Sequence, residues 1–150
     1  MKNQLKLFEY NTVFLPKPWS VIVYLILFVI VLFLFFGRNI ESIKIKALLN
    51  YFPDLYSHIS NFSISFLLCL ISGYMNIMKS GKLRDTWLFI VLLIAANFIY
   101  ELFIPILNTP DVVDAFYGLI GTLMPLFYLY FYKNYGLMKN PKYQPQDLDK

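Results

Sequence analysis

Apolar residues in this 150-residue chain are grouped into four long segments that short polar stretches separate. A helix that crosses a bilayer needs about 20 mostly apolar residues, and each segment reaches or approaches that length. We therefore predict an all-α, polytopic membrane protein with four transmembrane helices. The predicted spans are Trp19–Phe36, Asp54–Met78, Thr86–Leu107 and Asp111–Tyr132.

The first span carries no charged or amide side chain between Val21 and Phe36. A helix that is apolar on every side is typical of a lipid-facing anchor. The run is longer than the core of a signal peptide, and Phe36-Gly37-Arg38 offers no small-x-small cleavage site, so we expect the helix to be retained. In the loop that follows, Ile43–Leu49 is interpreted either as a short interfacial helix or as an ordinary connector.

The second span has a polar stripe on one helical face, whereas the opposing positions are apolar. The stripe follows steps of three, four or seven residues, and steps of this size share a face of a helix. Asp54, at its start, is also a candidate N-cap. The members of the stripe are Asp54, His58, Asn61, Ser65, Ser72 and Asn76.

The third and fourth spans are polar where they approach each other. Asn97 and Glu101 share a face at the end of the third span, at an i,i+4 spacing. A turn follows, in which we expect Thr109 to be the N-cap of the fourth helix and Pro110 its first residue. The fourth span then carries, again at steps of three and four, Asp111, Asp114, Gly118 and Gly121; small residues on such a face allow close helix packing.

Composition and charge support a membrane protein and exclude several other classes. Hydrophobic residues make up 59% of the chain and charged residues 15%, so little sequence remains for a separate soluble catalytic domain. The single cysteine, Cys69, excludes a disulfide framework and a zinc-type cysteine cluster. No nucleotide-binding loop, nucleophile elbow or zinc motif is present, so we predict no cofactor and no metal ligands.

The distribution of basic residues predicts the topology. With four spans, ten of the 13 Lys and Arg residues lie on the side of the two termini and three lie on the opposite side. The positive-inside rule then places both termini in the cytoplasm, and the expected location is the cytoplasmic (inner) membrane. We divide the chain into a tail, 1–18, a four-span domain, 19–132, and a flexible tail, 133–150. The net charge of +4 therefore requires no nucleic-acid partner.

This topology brings the polar ends of three spans to one depth near the outer membrane face. A single outward-facing polar pocket explains that coincidence, and ionisable groups in membrane spans are costly enough to indicate function. Because the spans contain no Lys or Arg, neighbouring acids favour a shared proton or a bound cation. The candidate catalytic residues are Glu101, Asp114, His58, Asp54 and Asp111, with His58 oriented by Asp54; the candidate ligand-binding residues are Asn61, Asn97, Gly118 and Gly121.

Each candidate also has a structural interpretation. Asp54 can serve only as a helix cap, Asp111 can simply be solvated near the membrane edge, and His58 can be a satisfied polar residue. Glu101 and Asp114 are the hardest to explain without a functional or essential network role.

The pattern resembles the VanZ-like family of membrane proteins. Pro53-Asp54-x-x-x-His58-x-x-x-Phe62 is similar to one family segment, and Glu101 followed by a proline-bearing turn and Asp111-x-x-Asp114-x-x-x-Gly118-x-x-Gly121 is similar to another. The chain differs from the family pattern at Gly118, where Asn is usual, and at Phe103 and Ile104. The resemblance implies several membrane spans, an association with teicoplanin resistance, and a role for the acidic and histidine positions.

Three functions remain open at this point. The first is a bacterial envelope protein whose outer pocket binds or modifies a lipid-linked or cell-wall-related ligand. The second is a non-enzymatic scaffold subunit that contacts a membrane-protein partner or a second copy of the chain. The third, least favoured, is a proton- or cation-coupled transporter, because the polar stripe thins towards the inner side. The sequence leaves open whether the protein is an enzyme, and its one general partner is the lipid bilayer.

Overall fold

The computed structural model describes residues 12–103 and 111–143, which are mostly helical. A 3-10 turn, Glu41–Ile43, lies in the first loop. The helices and strands, in chain order, are β1 (Phe14–Pro16), α1 (Pro18–Gly37), α2 (Lys46–Tyr51), α3 (Leu55–Ser80), α4 (Arg84–Phe103), α5 (Val112–Leu123), α6 (Pro125–Tyr135) and β2 (Leu137–Lys139).

Three apolar helical segments are long enough to cross a membrane: α1, α3 and the segment formed by α5 and α6 together, Val112–Tyr135. The fourth apolar helix, α4, has a shorter apolar segment, Thr86–Leu102. The predicted all-α membrane architecture is confirmed at this level. The end of the third predicted span and its Pro105 lie outside the described residues.

Helix α3 is the centre of the bundle and packs against α1, α4, α5 and α6. Its length follows from its sequence, because no proline interrupts it and Gly81 ends it with a left-handed backbone, φ 68°. Its lower half is buried against α6, where Leu70, Ile77, Leu129 and Tyr132 are fully enclosed. In contrast, only Ser20, Val31 and Gly37 of α1 are buried, as expected of a peripheral, lipid-facing helix.

The fourth predicted span is two helices rather than one. Helix α5 ends at Leu123, and α6 begins at Pro125. Proline has no N–H to donate to the preceding turn, so the helical hydrogen-bond ladder is interrupted there. The N-cap of α5 is Asp111, whose Oδ1 accepts the Val113 N–H at 2.8 Å. The predicted cap, Thr109, lies outside the described residues, and Asp111 is extended rather than helical.

The two ends of the described chain are joined, and the sequence did not predict this. Strands β1 and β2 pair antiparallel, with Phe14 opposite Lys139 and Pro16 opposite Leu137. The Lys17 N–H donates to the Gly136 carbonyl at 2.7 Å, directly below the pair. The tail boundary predicted at residue 133 therefore lies inside α6, and the segment up to Lys139 is held by regular hydrogen bonds.

The first loop contains helix α2, which begins three residues after the start of the predicted segment Ile43–Leu49. The Ile45 N–H donates to the Tyr56 hydroxyl at 2.8 Å, and this bond ties the loop to the first turns of α3. The helical interpretation of the loop is thus correct in kind, with its start shifted towards α3.

We expect Ser20→Ala to destabilise the junction between the chain ends. The Ser20 hydroxyl is fully buried and lies 2.7 Å from the Lys17 carbonyl oxygen and 3.1 Å from that of Gly136. Losing a buried hydrogen bond costs about 1–3 kcal/mol, so the unfolding temperature in detergent should fall. Ser42→Ala, in the exposed 3-10 turn, is the matched control and should leave it unchanged; equal behaviour of the two variants would contradict this account of the junction.

Candidate functional site

Three helix termini meet at one end of the bundle and bring the predicted polar residues together. The first turns of α3 face both the last turn of α4 and the first turn of α5. Three polar contacts follow α3 in order, at His58, Asn61 and Ser65. At 1.5 Å per residue these positions span about 10 Å along the helix axis. We call these contacts, with their partners on α4 and α5, the polar ladder.

The top contact of the ladder is a cluster of His58, Asp111 and Asp114. His58 Nδ1 lies 2.9 Å from Asp114 Oδ1 and 3.7 Å from Asp111 Oδ2. A carboxylate can only accept, so the close contact is an imidazole N–H that donates to Asp114. The side chains of His58 and Asp114 are each 16% exposed and that of Asp111 is 36% exposed. Solvent or a ligand can therefore reach the ionisable groups of this cluster.

Asp111 is held in place by its role at the start of α5. One carboxylate oxygen accepts the Val113 N–H, and the other faces His58. The ring of Tyr117, one turn further along α5, lies 5.3 Å from the His58 ring between centroids. The imidazole is therefore fixed on one side by two carboxylates and on another by an aromatic ring.

The second contact joins a partly buried amide to a buried carboxylate. Asn61 Nδ2 donates to Glu101 Oε1 at 2.8 Å, and Glu101 is only 3% exposed. A carboxylate buried in a helix bundle needs such donors, because leaving it unpaired carries a large desolvation cost. Glu101 therefore joins α4 to α3 in the interior and is not presented at the surface.

The third contact joins the same two helices one turn deeper. Asn97 Nδ2 donates to the Ser65 hydroxyl at 2.9 Å, and that hydroxyl lies 3.3 Å from Asn97 Oδ1. A Cβ on Gly118 would lie 2.8 Å from Asn97 Cγ, and a Cβ on Gly121 would lie 2.2 Å from the Phe62 carbonyl oxygen. Both glycines are thus close-packing positions that allow α5 to approach α3 and α4.

Asp54 does not join the cluster. It occupies the N-cap position of α3, but it is exposed and its side chain makes no capping hydrogen bond. Asp54 lies outside the helix, with φ −93° and ψ 6°, so the i,i+4 alignment with His58 that holds within a helix does not apply. Among the described residues, Asp111 and Asp114 are the carboxylates that pair with His58, and the predicted orientation of His58 by Asp54 is not observed.

The His58–Asp111–Asp114 cluster can hold a proton or a cation between its members. The nitrogen and oxygen ligand atoms lie within 4.8 Å of one another. Bonds of about 2.0–2.5 Å from one ion to each ligand match such separations. A histidine that pairs with carboxylates can also act as a general acid or base near neutral pH.

Below the ladder the interior of the bundle becomes apolar. Phe66, Cys69, Leu70 and Ile77 of α3 are buried there, and they pack against α4 and α6. The lower polar residues of the predicted stripe, Ser72 and Asn76, are not among the ladder contacts. The polar ladder is therefore confined to one end of the described bundle.

Comparisons with known proteins assign this chain to no family. No family model matches it, and neither the curated proteins nor the solved structures contain a match.

We expect Asn61→Leu to lower stability more than any change at the exposed Asp54. Leucine has a similar size but cannot donate to Glu101, so a buried carboxylate oxygen loses its amide donor at a cost of about 1–3 kcal/mol. Thermal unfolding in detergent measures the effect, with Asp54→Asn as the control. If the two variants unfold at the wild-type temperature, the Asn61–Glu101 bond does not contribute to the stability of the bundle.

Proposed function

We propose that this chain is a VanZ-like integral membrane protein of the cell envelope. In this proposal the outward-facing His58–Asp111–Asp114 cluster binds or modifies a lipid-linked or cell-wall-related ligand. The observation that carries the proposal is the partly exposed pair of His58 and Asp114, 2.9 Å apart, at the end of an otherwise apolar bundle. Ionisable groups in such segments are costly and are retained where they have a use.

A four-span topology with both termini on one side is part of the proposal. The pairing of β1 with β2 supports it, because hydrogen-bonded strands at the two ends of the chain must lie on the same side of the membrane. An odd number of crossings would separate them. With three segments long enough to cross, α4 supplies the fourth crossing, and its 20 residues extend about 30 Å.

The orientation follows from the charges. The paired ends lie with most of the Lys and Arg residues, so the positive-inside rule assigns them to the cytoplasm. The cluster at the opposite end of α3 is then on the outer face of the cytoplasmic membrane. That position suits a ligand of the cell envelope.

The sequence predicts one pocket that contains all of these polar residues, whereas we assign the residues of the polar ladder two different roles. His58, Asp111 and Asp114 are the functional group, since their side chains are partly exposed. Glu101, Asn61, Asn97 and Ser65 hold the helices together, since their polar atoms are paired across the α3–α4 contact. Asp114 is then the acid that contacts the ligand or its proton, and Glu101 acts only by positioning α4.

A scaffold is the second candidate function, and the buried Glu101–Asn61 bond is the observation that favours it. Interhelical hydrogen bonds of this kind stabilise a membrane bundle without any ligand. In that case the partner is another membrane protein or a second copy of the chain. Transport remains the least favoured function, because the apolar interior below Ser65 offers no continuous polar path along α3.

The test replaces His58 with Gln and Asp114 with Asn, each of which preserves side-chain size. We expect both variants to reach at least half of the wild-type folded yield, because the two residues lie at the exposed end of the ladder. We expect both to abolish the effect of the protein on susceptibility to cell-envelope antibiotics. Asp54→Asn, an exposed carboxylate near the same end of α3, is the matched control and should behave as wild type.

Two outcomes would contradict the proposal. If His58→Gln and Asp114→Asn retain the full envelope phenotype, the cluster is not the functional group. If both variants aggregate or lose a co-purifying protein, the cluster is structural and the scaffold function is correct.

A further inference from the structure

An apolar groove lies beside the cluster on the surface of the bundle. It has a volume of about 340 Å³ and is open to one side. The volume falls in the range of small-ligand sites, about 300–1,000 Å³. Its walls come from four helices and include Leu34 of α1, Leu48 of α2, Leu55 and Ile59 of α3, and Tyr117 and Ile120 of α5.

A second, polar cavity of about 530 Å³ is lined by residues of two of the same helices, α2 and α3. Its lining includes Arg38, Asn39, Lys44 and Ser57. Leu48 and Leu55 line the groove, whereas their neighbours in sequence, Leu49 and Tyr56, line this second cavity. We call it the basic cavity, because its lining residues include two cations and no acid.

The cations of the basic cavity are held near its walls. The Arg38 guanidinium donates to the Ser60 hydroxyl of α3, which leaves further N–H groups of its planar fork for another acceptor. Lys44 Nζ lies 5.9 Å from the centre of the Tyr56 ring and 2.5 Å from the carboxylate of Glu41. That carboxylate is 78% exposed, so the pair is weak and an anionic ligand can compete with it.

Around the axis of α3, the groove lies between the acidic cluster on one side and the basic cavity on the other. Successive helix residues turn by roughly 100° about the axis. His58 and Asn61 lie on one flank of the groove positions Leu55 and Ile59. Tyr56, which lines the basic cavity, and Ser60, which accepts from Arg38, lie on the other flank. An anionic group is therefore repelled by Asp111 and Asp114 and attracted by Arg38 and Lys44, while an apolar chain fits between them.

We infer that the groove and the basic cavity together bind a lipid phosphate, with its chain in the groove and its phosphate on Arg38 and Lys44. Charge complementarity selects this occupant, since an apolar groove that ends in two cations matches an anionic amphiphile. Tyr117 lines the groove and also packs against His58, so the apolar part of the bound lipid lies beside the cluster. The inference deepens the proposed function, on whose membrane topology it rests, by naming the chemical class of the ligand.

The experiment measures the unfolding temperature of the detergent-solubilised full chain with three probes. Dioleoyl phosphatidic acid supplies chain and phosphate, dioleoylglycerol supplies the chains alone, and inorganic phosphate supplies the anion alone. We expect phosphatidic acid to raise the unfolding temperature more than either of the other probes. Arg38→Gln combined with Lys44→Gln should weaken its apparent affinity by about tenfold or more, since charge-assisted hydrogen bonds are lost.

Two further variants test the groove. Ile120→Trp fills it and should remove the response to phosphatidic acid, whereas Leu88→Trp, on the 69% exposed position of α4, is the matched control and should retain the response. Asp54→Asn, at an exposed carboxylate that lines neither cavity, should also retain it. The envelope phenotype of Asp114→Asn and the lipid response of Ile120→Trp are separate measurements, so either proposal can fail alone.

Several results would overturn the inference. An equal response to dioleoylglycerol would show that the cations do not contribute, and an equal response to inorganic phosphate would show a soluble-anion site. A full response in the doubly substituted variant, or in Ile120→Trp, would exclude this groove. A change in oligomeric mass of Ile120→Trp without a change in lipid response would show that a second copy covers the groove.

Discussion

The fold depends on the need to pair polar groups that the bundle encloses. Glu101 is almost fully buried, and an unpaired carboxylate there would carry a large desolvation cost. The Asn61 amide donates to Glu101 and so fixes the position of α4 along the axis of α3. The Ser65–Asn97 pair repeats the same solution one turn deeper, and Gly118 and Gly121 let α5 close over both. The position of Asp114 opposite His58 follows from this packing.

The exposure of the polar ladder changes along its length, and we propose a function only for the partly exposed ionisable groups at its His58 end. The deeper contacts are satisfied within the bundle and act on stability. The His58–Asp111–Asp114 cluster is partly exposed and lies beside an apolar groove, with Tyr117 contacting both. The pairing of polar groups thus holds the helices together and, at the His58 end of the ladder, leaves a group of partly exposed side chains.

Residue spacing predicted the polar face of α3 and its common depth with Glu101 and Asp114, because helical periodicity fixes which residues share a face. Spacing could not predict the partners, since a face does not identify the helix that packs on it. A spacing of four residues predicts Asp54 as the partner of His58, but Asp54 precedes the first helical turn. Strands β1 and β2 are three residues each, too short for a sequence pattern, and they pair across almost the whole chain.

The most direct test of the account is cysteine labelling at both ends of the bundle. Val112→Cys lies beside the cluster and Met138→Cys lies in β2; both positions are about half exposed, and the native Cys69 is buried and supplies the unlabelled background. A membrane-impermeant maleimide applied to intact cells should label Val112→Cys, and should label Met138→Cys only after the membrane is permeabilised. Labelling of Met138→Cys in intact cells, or protection of Val112→Cys, would contradict an outward-facing cluster above cytoplasmic chain ends.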